Sequence, residues 1–334
     1  ALPIWHMRSI LNRPVIDIDT IGSYGDVGVV ICANSKISGD MADRLTSLDF
    51  EDYMCVDKDA VEKMDSENLY SQTYHEKSGK YALLYHRIAR CSPDVWNISV
   101  TPEDFRRHLE FLKSNYRIVP FDQLYSCEGE CMAITFDDGY ADFYQNAFPI
   151  IEELRVPVTV FVATGRIGTG RSFWWDEIED MVWNNEELPA EILLEGETIG
   201  FQSEAAKFEG TERIRQIFFK YDFESIDSRL DELAGLLNTS RRNNPAYRCM
   251  TEYELRKIDK SPWISIGSHT VTHTRLTSES EEKQRWEMRE SKHSLERMLG
   301  HEVTTFSFPF GCETDYDEVS IQAALEAGYK RIAA

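Results

Sequence analysis

Apolar positions along this chain follow two rhythms. From Lys80 onward, short continuous apolar runs recur, and between them lie longer stretches whose apolar residues return every three or four positions. Continuous runs of that length suit strands buried on both faces, and the longer spacing marks amphipathic helices. Tyr81-Ala-Leu-Leu-Tyr85, Tyr116-Arg-Ile-Val-Pro120, Cys131-Met-Ala-Ile-Thr-Phe136, Val156-Pro-Val-Thr-Val-Phe-Val162, Trp263-Ile-Ser-Ile266 and Thr304-Thr-Phe-Ser-Phe308 read as strands. A helix is expected through residues 105–112, because Thr101-Pro-Glu-Asp supplies a cap, a first-position proline and first-turn acids. Further helices are expected over 143–154, 251–258, 280–299 and 320–327, with a short one at 121–124. Strands alternating with helices predict a parallel α/β sheet or barrel with right-handed crossovers.

Two stretches break the alternation. Residues 171–250 carry charged segments with aromatics at helical spacing, at Trp174-Trp-Asp-Glu-Ile-Glu-Asp-Met-Val-Trp183 and over 214–237, and read as a helical insertion. Residues 1–79 form an N-terminal segment of unknown role ahead of a domain over 80–334. Within the segment, Val27-Gly-Val-Val-Ile-Cys32 reads as a strand, 38–48 as a helix and 49–67 as an acidic surface stretch.

Composition narrows the function classes. With 334 residues and 42% hydrophobic content the chain can fill a core. A formal charge of -22 argues against a nucleic-acid partner, which needs a basic surface. No apolar run approaches the roughly 20 residues of a membrane span. Seven cysteines without regular spacing read as small buried hydrophobes, which favours a reducing, cytoplasmic setting. The chain opens on Ala1, so a periplasmic or secreted location after removal of a signal peptide is the alternative.

The chemistry concentrates at strand ends. Ile134-Thr-Phe-Asp-Asp-Gly139 puts two adjacent carboxylates where an apolar strand gives way to a glycine turn. Such a pair repels unless a cation or a shared proton relieves it. Ser268-His-Thr-Val-Thr-His273 offers two imidazoles four positions apart. One carboxylate and two histidines make a metal-ligand set, with a second carboxylate left to act as base. A solvated Asp-Asp-Gly turn and two loop histidines are the alternatives. Ser307-Phe-Pro-Phe-Gly311 closes a third strand, its proline shaping an apolar wall, and Tyr85-His86 ends a fourth, making His86 a candidate acid or base.

These segments, taken in order over residues 80–334, resemble the polysaccharide deacetylase family, carbohydrate esterase family 4, whose core is the NodB-homology domain. Thr135-Phe-Asp-Asp-Gly139 matches its first motif, His269-Thr-Val-Thr-His273 its second, and Ser307-Phe-Pro-Phe-Gly311 a variant of its third. The resemblance implies an irregular (β/α) barrel. It also implies a divalent metal, usually zinc, on Asp138, His269 and His273, with Asp137 as general base. By the same analogy the backbone N–H of Tyr140 faces the oxyanion, and Phe308, Pro309 and Phe310 wall the substrate site.

Two departures stand out. The third motif of the family usually opens with an arginine that holds the base, whereas Ser307 stands there. The late Leu-x-His motif that supplies the acid is absent, but a permuted branch resembling poly-N-acetylglucosamine deacetylases places that histidine early, in a Tyr-His pair. Leu84-Tyr-His-Arg87 fits this pattern and makes His86 the expected acid. The expected activity is removal of N-acetyl groups from an amino sugar of a surface polysaccharide or its precursor, with the carbohydrate as partner. An O-acetyl esterase, a deformylase or an inactive carbohydrate-binding module are the alternatives. The sequence fixes no oligomeric state.

Overall fold

The structure, a computed structural model, describes residues 80–333 except 125 and 313, together with the backbone of three short strands upstream. The strands in chain order are β1 (Val15–Asp17), β2 (Val29–Cys32), β3 (Tyr53–Val56), β4 (Lys80–Tyr85), β5 (Arg87–Ile88), β6 (Ser99–Val100) and β7 (Arg117–Ile118). They continue with β8 (Cys131–Phe136), β9 (Val158–Val162), β10 (Glu191–Leu194), β11 (Glu197–Gly200), β12 (Ile264–Ser268), β13 (Thr305–Ser307) and β14 (Arg331–Ala333). The expected helix at 38–48 and most of the acidic stretch lie outside the described residues.

Eight strands form one sheet, ordered β1-β14-β13-β12-β9-β8-β4, with β7 also paired to β8. All its pairings are parallel except that of β1 with β14. β4 pairs along the whole of β8, so the other edge of β8 is shared. There β7 takes Cys131 and Met132, and β9 takes Thr135 and Phe136. That divided edge, and the lack of a pairing between β4 and β1 among the described residues, make this an irregular, open (β/α) barrel.

Register gathers the strand ends. Tyr85 lies opposite Phe136, Phe136 opposite Val160, Val162 opposite Ser268, and Ser268 opposite Phe306. The carboxyl ends of β4, β8, β9, β12 and β13 therefore meet at one mouth, where α/β barrels carry their active sites.

Side-chain alternation along the strands sorts the rest, because successive residues face opposite sides of a sheet. Leu83, Tyr85, Met132, Ile134, Phe136, Val158, Val160, Ile264, Ile266, Phe306 and Phe308 join the main core, which includes Phe105, Leu109, Ile151, Leu255, Met288 and Leu295 of the surrounding helices. The other parity faces inward: Cys131, Ala133, Phe161 and Ala333 pack with Val119, Phe121 and Leu124 inside the barrel. The interior is tight at Gly267, where a Cβ would meet the Phe161 ring at 2.4 Å and Thr305 Oγ1 at 2.6 Å. Any larger residue would force β12 away from β9 and β13.

Most expected helices form, and capping fixes where several start. Thr101 accepts from Asp104 N at 3.2 Å ahead of helix Pro102–Asn115. Thr251 and Glu254 make a reciprocal capping box at helix Glu252–Ile258, and Ser280 caps helix Glu281–Leu299. The single helix expected over 143–154 is instead a π-turn, Phe143–Ala147, followed by helix Phe148–Leu154. Pro149 has no N–H to continue the α ladder and crowds the preceding turn, which the wider turn relieves.

The insertion is not purely helical, correcting the sequence reading. After helix Trp174–Trp183 comes the hairpin β10–β11, turned by Glu195 and Gly196, both with positive φ. In β10, exposed and buried positions alternate, the period-2 signal of a half-buried strand. Two helices follow, Glu204–Phe218 and Phe223–Leu236, the second capped by Asp222. These elements bury a second apolar core around Trp174, Ile178, Ile214, Phe218 and Leu233. Cys249 is buried as expected of a small hydrophobe, whereas Cys127 and Cys131 pair as a disulfide. No helix among the described residues is long and apolar enough to cross a membrane.

Candidate metal centre and active site

Inward parity carries Asp137 past the end of β8, His269 past β12, Ser307 to the end of β13 and His86 past β4. The structure brings the first three together at the mouth. Asp138 Oδ1 lies 3.0 Å from His273 Nε2 and 3.6 Å from His269 Nε2, and Asp137 Oδ2 lies 3.6 Å from His269 Nε2. The ligand atoms of Asp138, His269 and His273 all fall within 4.8 Å of one another, and all three residues are buried. Ligands held about 2 Å from one tetrahedral cation stand roughly 3 to 4 Å apart, so the set fits a metal.

Two further observations test that fit. Asp138 Oδ1 is buried 3.0 Å from His273 Nε2 and 3.6 Å from His269 Nε2, one carboxylate oxygen and two ring nitrogens converging as the ligands of a single cation do. His269 Nδ1–H donates to the Ser307 carbonyl at 2.7 Å, which turns the lone pair of Nε2 toward the other ligands. Burial opposes ionisation of Asp138, but the imidazoles of His273, His86 and His269 outweigh it and hold the carboxyl well below the usual carboxylate range.

The loops that present these groups are strained. Asp138, Thr270, His273 and Phe310 all adopt positive φ, which is unfavourable for residues with a Cβ. Surrounding contacts impose it. Glu287 Oε2, from the helix Glu281–Leu299, accepts from Val271 N at 2.8 Å and Thr272 N at 3.0 Å. Thr270 Oγ1 accepts from His273 N at 3.0 Å, and Gly165 N donates to the Val271 carbonyl at 2.8 Å. Glu287 gives no signal in the sequence, since it is one of many charged residues in a long helical stretch.

Ser307 does more than end a strand. Its hydroxyl donates to Asp137 Oδ2 at 3.2 Å, occupying the place where the family's arginine would hold the base. His86 is half-buried and lines the same cavity as Asp138 and His273. The segment after it is anchored: Arg87 Nε donates to Asp142 Oδ2 at 2.9 Å, and Asp142 Oδ1 accepts from Ile88 N at 3.0 Å.

The expected substrate wall is only partly present. Phe310 lines the cavity, 4.7 Å from the His273 ring between centroids. Phe308 does not: it is fully buried in the main core, stacked on Tyr316 at 4.4 Å and edge-on to Phe306 at 5.1 Å. Strand parity is the reason, since Phe306 and Phe308 share the helix-facing side while Ser307 faces the mouth. Pro309 is buried and lies outside the cavity lining. The side chain of Tyr140 is likewise buried, its hydroxyl donating to Asp176 Oδ2 at 2.9 Å and accepting from Trp175 Nε1 at 3.0 Å. Trp175 joins this network to the triad, its ring 4.7 Å from that of His273.

An open (β/α) barrel with a carboxylate and two histidines converging at its mouth is an α/β enzyme architecture with a candidate metal site. The family model for polysaccharide deacetylases matches residues 126–190 and 236–332. The two stretches cover 162 of the 334 residues, so the chain is similar to that family over just under half of its length. It is 22% identical over 264 residues to YxkH of Bacillus subtilis, a protein assigned to the polysaccharide deacetylases, across 76% of this chain and 64% of that one. It is 26% identical over 114 residues to the poly-beta-1,6-N-acetyl-D-glucosamine N-deacetylase of Staphylococcus epidermidis, across 28% of this chain and 39% of that protein. The matches thus span under two thirds of either relative. A Streptococcus pyogenes deacetylase structure aligns over 75% of this chain and 80% of its own, with 20% identity and a TM-score of 0.46.

Proposed function

We propose that this chain is a metal-dependent hydrolase that removes N-acetyl groups from an amino sugar of a surface polysaccharide or its precursor. The observation that carries the reading is the triad Asp138, His269 and His273 with Asp137 beside it and His86 on the wall of the same cavity. The similarity to a protein named as a poly-beta-1,6-N-acetyl-D-glucosamine N-deacetylase supports an N-acetylated sugar as substrate.

Asp138, His269 and His273 would hold the cation, which we take to be zinc from its nitrogen and oxygen donor set. When bound, it supplies Lewis acidity toward a carbonyl and makes water more acidic. Asp137 accepts the proton of the attacking water, and the Ser307 hydroxyl fixes the carboxylate for that transfer. The backbone N–H of Tyr140, following the Asp-Asp-Gly turn, donates to the oxygen that gains charge. His86 gives a proton to the leaving nitrogen as its bond to the acetyl carbon breaks, so water and the N-acetyl group become acetate and a free amine.

Metal analysis of the purified chain and acetate release from N-acetylglucosamine oligomers test this directly. One zinc per chain and metal-dependent acetate release are expected, and a metal-loaded chain that releases none refutes the activity. His86→Ala should lower amide turnover by roughly 10²-fold or more, while hydrolysis of an activated acetyl ester, whose leaving group needs little protonation, persists. Wild-type amide turnover in that variant removes His86 as the acid.

A further inference from the structure

The two histidines of the triad are held in different ways. His269 donates from Nδ1 to the Ser307 carbonyl at 2.7 Å. His273 points Nε2 at Asp138 Oδ1, 3.0 Å away, while its Nδ1 is buried with no hydrogen-bond partner among the described residues. A metal-bound imidazole is ordinarily oriented by a hydrogen bond from its outer N–H, so another device has to fix this ring. Aromatic rings surround it. Those of Trp175 and Phe310 lie 4.7 Å from the His273 ring between centroids, inclined at 62° and 87°, and that of Phe173 lies 5.5 Å away. Edge-to-face rings at such distances attract one another, and close packing leaves the enclosed ring little room to turn.

Both flanking rings are braced by the insertion. Phe310 rests edge-on against Phe219 at 4.8 Å, and the Arg215 guanidinium lies 4.9 Å from the Phe219 ring. Trp175 stacks on Phe173 at 4.5 Å and also carries a polar tether. Its Nε1–H donates to the Tyr140 hydroxyl at 3.0 Å. An indole N–H can only donate, so the Tyr140 proton goes the other way, to Asp176 Oδ2 at 2.9 Å. Trp175 and Asp176 are neighbours on the helix Trp174–Trp183, and two successive residues thus grip one hydroxyl from both sides. Tyr140 and Asp176 are fully buried, and the Arg87 guanidinium lies 4.8 Å over the Tyr140 ring. Hydrogen bonds are directional, so this tether fixes the rotation of the indole as apolar contacts alone do not.

We propose that Trp175, tethered through Tyr140 to Asp176, is a positioning residue that sets the orientation of the metal ligand His273 in place of a hydrogen bond to Nδ1. This rests on the metal triad of the reading above and deepens it, since it makes the insertion a supporting part of the metal site. The Tyr140 side chain then has a role separate from that of its backbone N–H.

The test uses Tyr140→Phe, which deletes the hydroxyl and keeps the ring and the backbone N–H. Zinc affinity is read by competition with a chelator of known affinity. Ligand geometry is read from the visible absorption of the cobalt(II)-loaded chain, and stability from denaturant unfolding of the metal-free chain. Zinc affinity should fall by about 10- to 100-fold, and the cobalt band should change in position or intensity. Trp175→Phe, which keeps a ring beside His273 without the N–H, should repeat both changes and stands in if the first variant does not fold. Wild-type zinc affinity and a wild-type cobalt band in these variants, whatever their unfolding, assign the network to packing alone and overturn the proposal. A wild-type chain that binds neither metal removes the metal reading and the proposal with it. Acetate release is scored separately: its absence from the zinc-loaded wild-type chain, with the affinity loss intact, removes the deacetylase reading and leaves the positioning role standing.

Discussion

Ser307 holds Asp137 from across 170 positions of sequence, its hydroxyl 3.2 Å from Oδ2, while its carbonyl accepts from His269 Nδ1 at 2.7 Å. One residue thereby orients both the proposed base and a proposed metal ligand, through two different atoms. The family's usual tether is a charged arginine, and here a neutral hydroxyl on an inward-facing strand position serves.

The two atoms of Ser307 separate experimentally. Ser307→Ala keeps the carbonyl and deletes the hydroxyl, so metal content should stay at the wild-type level. Loss of a hydrogen bond to a charged group, about 1.5 to 3 kcal/mol, should lower kcat by roughly tenfold or more with little change in KM. Asp137→Asn should also retain metal but lose acetate release by about 10²- to 10⁴-fold. Loss of metal from either variant would contradict the division of roles between Asp137 and Asp138.

His273→Ala should lower metal content and activity together, because it deletes a ligand. Glu287→Ala touches no ligand side chain, yet it frees the Val271 and Thr272 N–H groups that shape the loop between the two histidines. We expect it to weaken metal affinity by about 10- to 100-fold, the usual effect of outer supporting groups. Competition with a chelator of known affinity measures both.

The placement of Phe308 in the core and Phe310 in the cavity gives opposite phenotypes. Phe308→Ala should cost about 3 to 5 kcal/mol in denaturant unfolding, with KM for soluble oligosaccharides little altered in the folded fraction. Phe310→Ala should raise KM and cost much less stability. The reverse pattern would return Phe308 to the substrate wall.

Glu179 supplies a pH dependence remote from the metal ligands. Burial pushes its carboxyl up to about 7 from an ordinary 4.5, an effect that the Tyr247 hydroxyl, donating at 2.7 Å, partly offsets. Below pH 4.5 the group is protonated in both folded and unfolded states. Between the two values unfolding releases a proton, so stability falls as pH rises, by on the order of 3 kcal/mol once above pH 7. Glu179→Gln removes this slope, and its stability advantage over the wild type should grow between pH 5 and pH 8. A difference that stays flat over that range would refute the shift.

Much of the site was legible along the chain because its members sit at strand ends, and strand ends are marked by where apolar runs stop. Asp137, Asp138, His269, His273 and His86 all stand at such ends, the structure gathers them at one mouth, and period-2 alternation already assigns which neighbours share a face. Phe308 departs from the expected apolar wall because parity counted from Ser307 turns it to the core side of the sheet. The hairpin at 191–200 is hard to see along the chain because it is short and the segments on both sides carry the longer helical period.

The sequence alone determines the chain order of the main-sheet strands from β4 to β13, the parallel α/β class and the residue types able to hold a metal, since each depends on spacing within one segment. Tertiary structure decided what meets across segments. Register between parallel strands set Ser307 against Asp137, placed Glu287 beneath the histidine loop and brought Phe219 and Arg215 of the insertion to Phe310. Those contacts join residues far apart in the chain, and no local periodicity records them. They exist only once the sheet has fixed which strand ends share a mouth.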